Sequence, residues 1–238
     1  MEPIPFRKDF VHHQDSKLSE NIRELIFGME DGMVSTLGAV TGIAAGTGDH
    51  KIVIVAGLVV VAVESISMGV GSYISNHSVK QLEKRKLYEE EIEVKKYPEA
   101  ERAELAEMYI EDGWPKDMAI KMAEVAAKDH DLMLREMAYR ELNIDINKDI
   151  NPSQGAIVMF FSYIIGGAFP VSVYLFLPII QAQYGAIMFT LFGLFILGAF
   201  TTKFTKLKWW KSALQMAALG GLASVAGYLV GRLADFIF

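Results

Sequence analysis

Five stretches of the chain, at about 25–47, 52–76, 155–178, 184–202 and 212–231, are apolar over the roughly 20 residues that a helix needs to cross a bilayer core. The last three contain no charged residue. The first two carry Glu30, Asp31 and Glu64, yet the runs beside them, MVSTLGAVTGIAAGT and IVIVAGLVVVAV, are too long and apolar for soluble loops. Between the second and third stretches the pattern turns polar without losing helical character. No Pro or Gly interrupts Ser72 to Lys96, so span two is expected to run on as one helix until Pro98 stops it. A second helix is expected over 99–112, closed by Gly113. A third opens at Pro115 and reaches about Lys128, and a fourth, capped by Asp129, fades near Asn143. The expectation is an all-α membrane protein of five transmembrane helices with a helical insert between the second and third. Its parts are an N-terminal segment with spans one and two over 1–78, the insert over 79–151, and spans three to five over 152–238.

Charge sharpens this division. The chain is 52% hydrophobic, but Val79 to Asn151 holds 13 Lys and Arg against 19 Asp and Glu, which accounts for the whole net charge of −6. An acidic soluble segment has the wrong sign for nucleic acid and the right one for cations. Cysteine is absent, which removes disulfides, thiolate metal sites and thiol nucleophiles together. The polar N-terminal segment, with Asp9, Asp15 and Glu20, lacks the apolar core of a signal peptide, so the mature chain is expected to begin near Met1. Basic residues gather in that segment (Arg7, Lys8, Lys17, Arg23) and between spans four and five (Lys203, Lys206, Lys208, Lys211). The links after spans one and three hold one lysine, Lys51, and none. The excess of positive charge on cytosolic loops then puts the N-terminus and the insert in the cytosol and the C-terminus outside. Trp209 and Trp210 suit an interfacial anchor.

Gly38, Gly42 and Gly46 make a small-residue stripe on span one, and Gly220, Ser224, Gly227 and Gly231 nearly repeat it on span five. Such stripes let helices approach closely in lipid, either within one subunit or between two, and spacing alone leaves both open. In the insert, Glu90 and Glu93, and Glu101 and Glu104, each share a helical face within reach of one ion, and Met137 and Glu141, four apart, share a face too. Runs such as YEEEIEVKK also fit a solvated face with Glu–Lys pairing. Asp31 and Glu64 carry more weight, because a carboxylate in hydrocarbon is costly and marks an ion or proton route. Met68 lies one turn from Glu64, and Gly28 and Gly32 thin the helix around Asp31, leaving its backbone accessible. Two oxygen donors and a thioether would suit Fe²⁺, Mn²⁺, Co²⁺ or Zn²⁺ better than Mg²⁺ or Ca²⁺. Met68 also reads as a space-filling core residue. Glu30 points about 100° from Asp31 and is set aside. His12, His13, His50 and His130 read as surface residues, and His77 as either surface or ligand.

These residues together resemble the vacuolar iron transporter family. The match is carried by DGMVST (Asp31 to Thr36) with its following G-x-x-x-G, by SMGVGSYIS (Ser67 to Ser75), by the two Glu-x-x-Glu pairs, and by Met137-x-x-x-Glu141-Leu142. The resemblance implies that Asp31 and Met68 line the transport path. It assigns Glu90, Glu93, Glu101, Glu104, Met137 and Glu141 to a cytosolic metal-binding domain. It also implies a homodimer of five-span subunits that exchanges cytosolic Fe²⁺, and often Mn²⁺, for protons. Many members have Glu where this chain has Ser72, and Glu64, two turns earlier on the same face, is the expected substitute. The expected function is a divalent-metal/proton antiporter and not an enzyme, with no prosthetic group and the lipid bilayer, metal ions and protons as partners. It would sit in the plasma membrane of a prokaryote or the vacuolar membrane of a eukaryote. No GxxxxGK[ST] loop is present to bind a nucleotide. The alternative from another class is a membrane-anchored iron-oxidising or storage protein. No Glu is followed three residues later by His, as a di-iron helical bundle requires. A metal sensor without transport would leave Asp31 and Glu64 unexplained.

Overall fold

The computed structural model describes residues 21–146, 151–205 and 208–237, which are helical wherever they are regular and contain no strand. Eight helices follow in order: α1 (Ile22–Thr47), α2 (His50–Lys96), α3 (Pro98–Glu111), α4 (Lys116–Ala126), α5 (His130–Arg140), α6 (Pro152–Phe176), α7 (Ile179–Thr205) and α8 (Trp209–Ile237). The N-terminal basic residues up to Lys17, His12, His13 and Lys206 lie outside the described residues. The chain forms two compact units. One combines the residues up to Tyr73 with those from Ser153 onward, and the other is Ile74–Pro152.

Helices α2, α6, α7 and α8 are long and apolar enough to cross a membrane. Helix α1 has the length, 26 residues, but Arg23, Glu24, Glu30 and Asp31 dilute its first half. Helix α2 has 47 residues. At 1.5 Å per residue it runs about 70 Å, more than twice the thickness of a bilayer core. The break expected at Pro98 is present, with only Tyr97 between α2 and α3, and Pro98 takes the first helical position, where its missing N–H leaves nothing unsatisfied. Helix α6, expected to run to 178, ends at Phe176. Pro178 opens the next helix, its carbonyl accepting from the Ala182 N–H at 2.8 Å.

In the first unit, α1 is gripped on two sides. Gly38, Gly42 and Gly46 face Ala223, Gly227 and Gly231 of α8. A methyl group on Gly42 would stand 2.7 Å from the Gly227 carbonyl oxygen, and one on Gly46 would stand 2.8 Å from that of Gly231. The two small-residue stripes therefore meet within one chain, backbone against backbone. On another side Gly32 lets α1 reach α6, where a methyl would come within 2.9 Å of the Gly167 nitrogen. Leu37, Val40, Ala44, Val53, Val171, Tyr174, Ala182 and Ala186 fill the core among α1, α2, α6 and α7. The turn into α2 is two residues long. Gly48 takes a left-handed φ of 61°, and the Asp49 carboxylate accepts from the Lys51 and Ile52 N–H groups at 2.8 and 3.1 Å.

The second unit is a small helical cluster around Val94, Leu105, Ala106, Tyr109, Ala119, Ala123, Ala126, Met133 and Met137. Alanines on α4 allow close approach. Asp129 caps α5 as expected, accepting from Asp131 and Leu132 N–H groups at 3.0 and 3.2 Å. Gly113, at φ 95°, and Asn143, at φ 54°, supply the left-handed residues after α3 and α5.

Candidate functional site

Two groups of polar residues are candidates, one in each unit. In the first, α1 contributes Asp31 and α2 contributes Glu64 and Met68. Asp31 and Met68 are half-buried, whereas Glu64 is exposed in the single chain, and Glu30 is half-buried beside Asp31. Asp31 and Glu64 lie within electrostatic reach of each other. The backbone around Asp31 is covered, contrary to expectation. Gly28 and Gly32 are occupied by the close approach of Met159, Ser162, Tyr163 and Gly167 from α6, so they serve helix packing.

That approach brings in Tyr163, which the sequence reading passed over. Its hydroxyl is 2.6 Å from the Ser35 hydroxyl, which in turn donates to the Asp31 carbonyl at 2.6 Å. With Ser35's hydrogen committed to the carbonyl, the Tyr163 O–H donates to Ser35. The Tyr163 hydroxyl oxygen lies within the field of Asp31 and Glu64. A second residue not foreseen is Glu24, 4% exposed, with one oxygen on Arg23 at 2.8 Å and the other buried without a hydrogen-bond partner. A tyrosine in an apolar span signals that a partner is required, but sequence does not say which one.

In the second unit the run YEEEIEVKK divides by face. Glu89 pairs with Arg85 at 2.8 Å and Glu91 with Lys95 at 2.5 Å, which are solvated one-turn ion pairs. Glu90, between them, turns inward and is 3% exposed. The carboxyls of Glu141, Glu101 and Glu93 lie close enough to act on it electrostatically. Glu101 is 6% exposed, whereas Glu93, Glu104 and Glu141 remain exposed and Met137 is fully buried. One oxygen of Glu90 and one of Glu101 are buried without a hydrogen-bond partner.

Burial, followed by the negative charge of Glu141, Glu101 and Glu93, raises the Glu90 carboxyl to about 8. Glu101 is raised by burial and then by Glu104, Glu93 and Glu141. Glu104 is raised by burial and then by Glu141, Glu93 and Glu107. Burial and the mutual repulsion of these carboxyls both favour the protonated form of Glu90, Glu101 and Glu104. Among the described residues no three acidic or imidazole side chains converge tightly enough to enclose an ion. What α2, α3 and the residue after α5 bring together is a group of carboxyls, Glu90, Glu93, Glu101, Glu104 and Glu141, that act on one another.

His50, His77 and His130 stand apart from both groups. His50 is half-buried rather than free on the surface, its Nε2 2.6 Å from the Tyr174 carbonyl oxygen, where it ties the α1–α2 turn to α6. His130 lies 3.6 Å from Asp131, and His77 is exposed with its Nε2 3.4 Å from the Gln81 amide nitrogen. Lys211 sits over the Trp210 ring at 5.6 Å.

The sequence profile of the VIT family matches residues 22–232, which include both groups. The chain is 29% identical over 224 residues to vacuolar iron transporter 1 of Arabidopsis thaliana, covering 93% of this chain and 90% of that protein. It is 31% identical to the vacuolar iron transporter of Centaurea cyanus, covering 88% and 86%. It is 27% identical to that of Plasmodium falciparum, covering 94% and 88%. The match runs from the first helix through the acidic cluster and into the last apolar helix: the chain belongs to the VIT family, a family of transporters rather than enzymes.

Proposed function

We propose that the protein carries Fe²⁺, with Mn²⁺ as a further substrate, out of the cytosol in exchange for protons. The observation that carries this reading is the Glu90–Glu101 pair, two buried carboxyls with unpartnered oxygens in a cluster that holds protons at neutral pH. A divalent cation arriving there displaces protons and supplies the missing electrostatic partner, so one set of groups alternates between the two cargoes. Glu93, Glu104, Glu141 and Met137 complete the collecting site, and Asp31, Glu64 and Met68 form the path through the membrane. Iron comes from the names of the relatives, and the thioethers of Met68 and Met137 favour a borderline transition ion over Mg²⁺. In this reading α1 is the fifth span, two subunits work as a homodimer, and the N-terminus and insert face the cytosol. The membrane is the plasma membrane in a prokaryotic cell and the vacuolar membrane in a eukaryotic one.

The test is flux in proteoliposomes carrying a lumenal pH dye and an Fe²⁺ indicator. Fe²⁺ movement with an opposite proton movement is expected, and an imposed pH gradient should drive metal uphill. Fe²⁺ flux without proton movement would overturn the antiport. Saturable Fe²⁺ binding with no flux would favour the storage or oxidising alternative.

A further inference from the structure

A group of side chains next to the carboxyl cluster has no part in the reading above. The Tyr109 hydroxyl donates to Glu136 Oε2 at 3.0 Å, and Arg140 Nε donates to the same oxygen at 3.2 Å. The Arg140 guanidinium lies 4.3 Å from the Tyr109 ring centroid and also pairs through Nη1 with Asp112 at the end of α3. Tyr109 is 3% exposed, and the Arg140 side chain is 19% exposed. This is a closed network between α3 and α5 that uses both the stacking face and the fork of one arginine.

Its placement on the helices suggests its role. On α5, Glu136 and Arg140 are four residues apart and form one row, while Met137 and Glu141 form the adjacent row, about 100° around the axis. On α3, Glu101 and Tyr109 are eight residues apart, about 80° around the axis, and both are buried. The helix that carries Glu101 to the cluster thus also grips α5 through Tyr109. Helix α5 has 11 residues, too few to hold its orientation alone. A 20° roll of α5 would move a donor atom by about 2 Å at the side-chain radius of a helix. Coordination distances tolerate only about 0.2 Å. Asp129 anchors the N-terminal end of α5, and the tyrosine–arginine network is the matching anchor at the other.

We propose that Tyr109, Glu136, Arg140 and Asp112 are positioning residues that fix the rotation of α5, so that Met137 and Glu141 face the carboxyl cluster when metal binds. The inference rests on the cluster being a metal site. The network also keeps Arg140 engaged with Glu136 and Asp112, away from neighbouring Glu141. A free guanidinium there would compete with the ion.

The experiment is Co²⁺ titration of the purified full-length protein at low temperature, read by calorimetry and by the visible ligand-field spectrum. Helicity and the thermal midpoint of each metal-free variant are measured in parallel. In the parent, Glu90→Gln with Glu101→Gln must remove one binding component. If it does not, the metal-site reading fails before the present proposal is reached. Given that component, Glu136→Gln and Arg140→Lys should each weaken it about 10–100-fold and alter its spectrum with helicity unchanged. Tyr109→Phe, which keeps the stacking face, should have a smaller effect. In a Met137→Leu background the further loss from Glu136→Gln should shrink, because both act through the same donor. A lowered thermal midpoint with unchanged Co²⁺ affinity and spectrum would show that the network only stabilises the helices, and would overturn the proposal.

Discussion

A carboxyl that keeps its proton to about pH 8, as Glu90 does, makes folding and metal binding respond to pH in opposite directions. Its pKa in the folded chain is above the ordinary value of 4.5, so its contribution to metal-free stability is complete below about pH 4.5 and disappears as pH rises toward 8. In the proposed function metal displaces that proton, so affinity should rise with pH over the same window, about tenfold per unit for each proton released, and level off above it. Calorimetry in buffers of different ionisation enthalpy measures the protons released. Glu90→Gln should abolish the pH slope together with the binding while leaving the metal-free protein at pH 8 at least as stable as the parent. At Met68, half-buried on α2, replacement by Leu should leave stability within about 1.5 kcal/mol. It should weaken Fe²⁺ and Co²⁺ transport more than Mn²⁺ transport, because the harder ion depends less on sulfur. Equal transport of all three ions would make Met68 a packing residue. Residue chemistry was legible in the sequence where spacing carries it: Glu90, Glu93, Glu101, Glu104 and Glu141 come within electrostatic reach of one another. It was not legible for Tyr163 or the Arg140 network, because their meaning depends on partners 128 and 31 positions away.

For the helices, boundaries were readable because Pro98, Gly113, Pro115 and Asp129 act locally, and α2 does run unbroken past its apolar half. Pairing was not readable. The two small-residue stripes announced close contacts, but a stripe fits any partner with a matching one, and three-dimensional packing was needed to place α1 against α8 within the chain. Glycines on one helix now give a signed test. Gly227→Ala would put its methyl group onto the Gly38 carbonyl oxygen and should destabilise the protein by about 1–3 kcal/mol. Gly221, on the same helix, has open space around its Cβ position. There Ala should be neutral or stabilising by up to about 1 kcal/mol, through helix propensity alone. Thermal unfolding in detergent compares the two, and equal shifts would mean that α8 does not meet α1 along this face.

At the level of the whole molecule, the position of α1 decides the topology. Its charges near Arg23, Glu24, Glu30 and Asp31 make it less apolar than the four evident candidate spans. Its packing suggests otherwise. Gly28 and Gly32 meet α6, Val40 and Ala44 enter the core, and Gly38, Gly42 and Gly46 follow α8, so along its length α1 adjoins helices that are themselves apolar enough to span. Its 26 residues give about 39 Å, ample for a core of about 30 Å. The buried face of the helix also receives Glu24, paired with Arg23, instead of presenting it to lipid. A crossing α1 puts Asn21 and Asp49 on opposite sides, with Lys128 on the side of Asn21. An α1 that stays on one surface puts Asn21 and Asp49 together. Because the chain contains no cysteine, Asn21→Cys, Asp49→Cys and Lys128→Cys each give one labelling site without background. With a membrane-impermeant maleimide on intact cells, Asp49→Cys alone should react before permeabilisation, and all three should react after it. Labelling of Asn21→Cys and Asp49→Cys under the same condition would remove the fifth span. It would also remove the proposed ion route past Asp31.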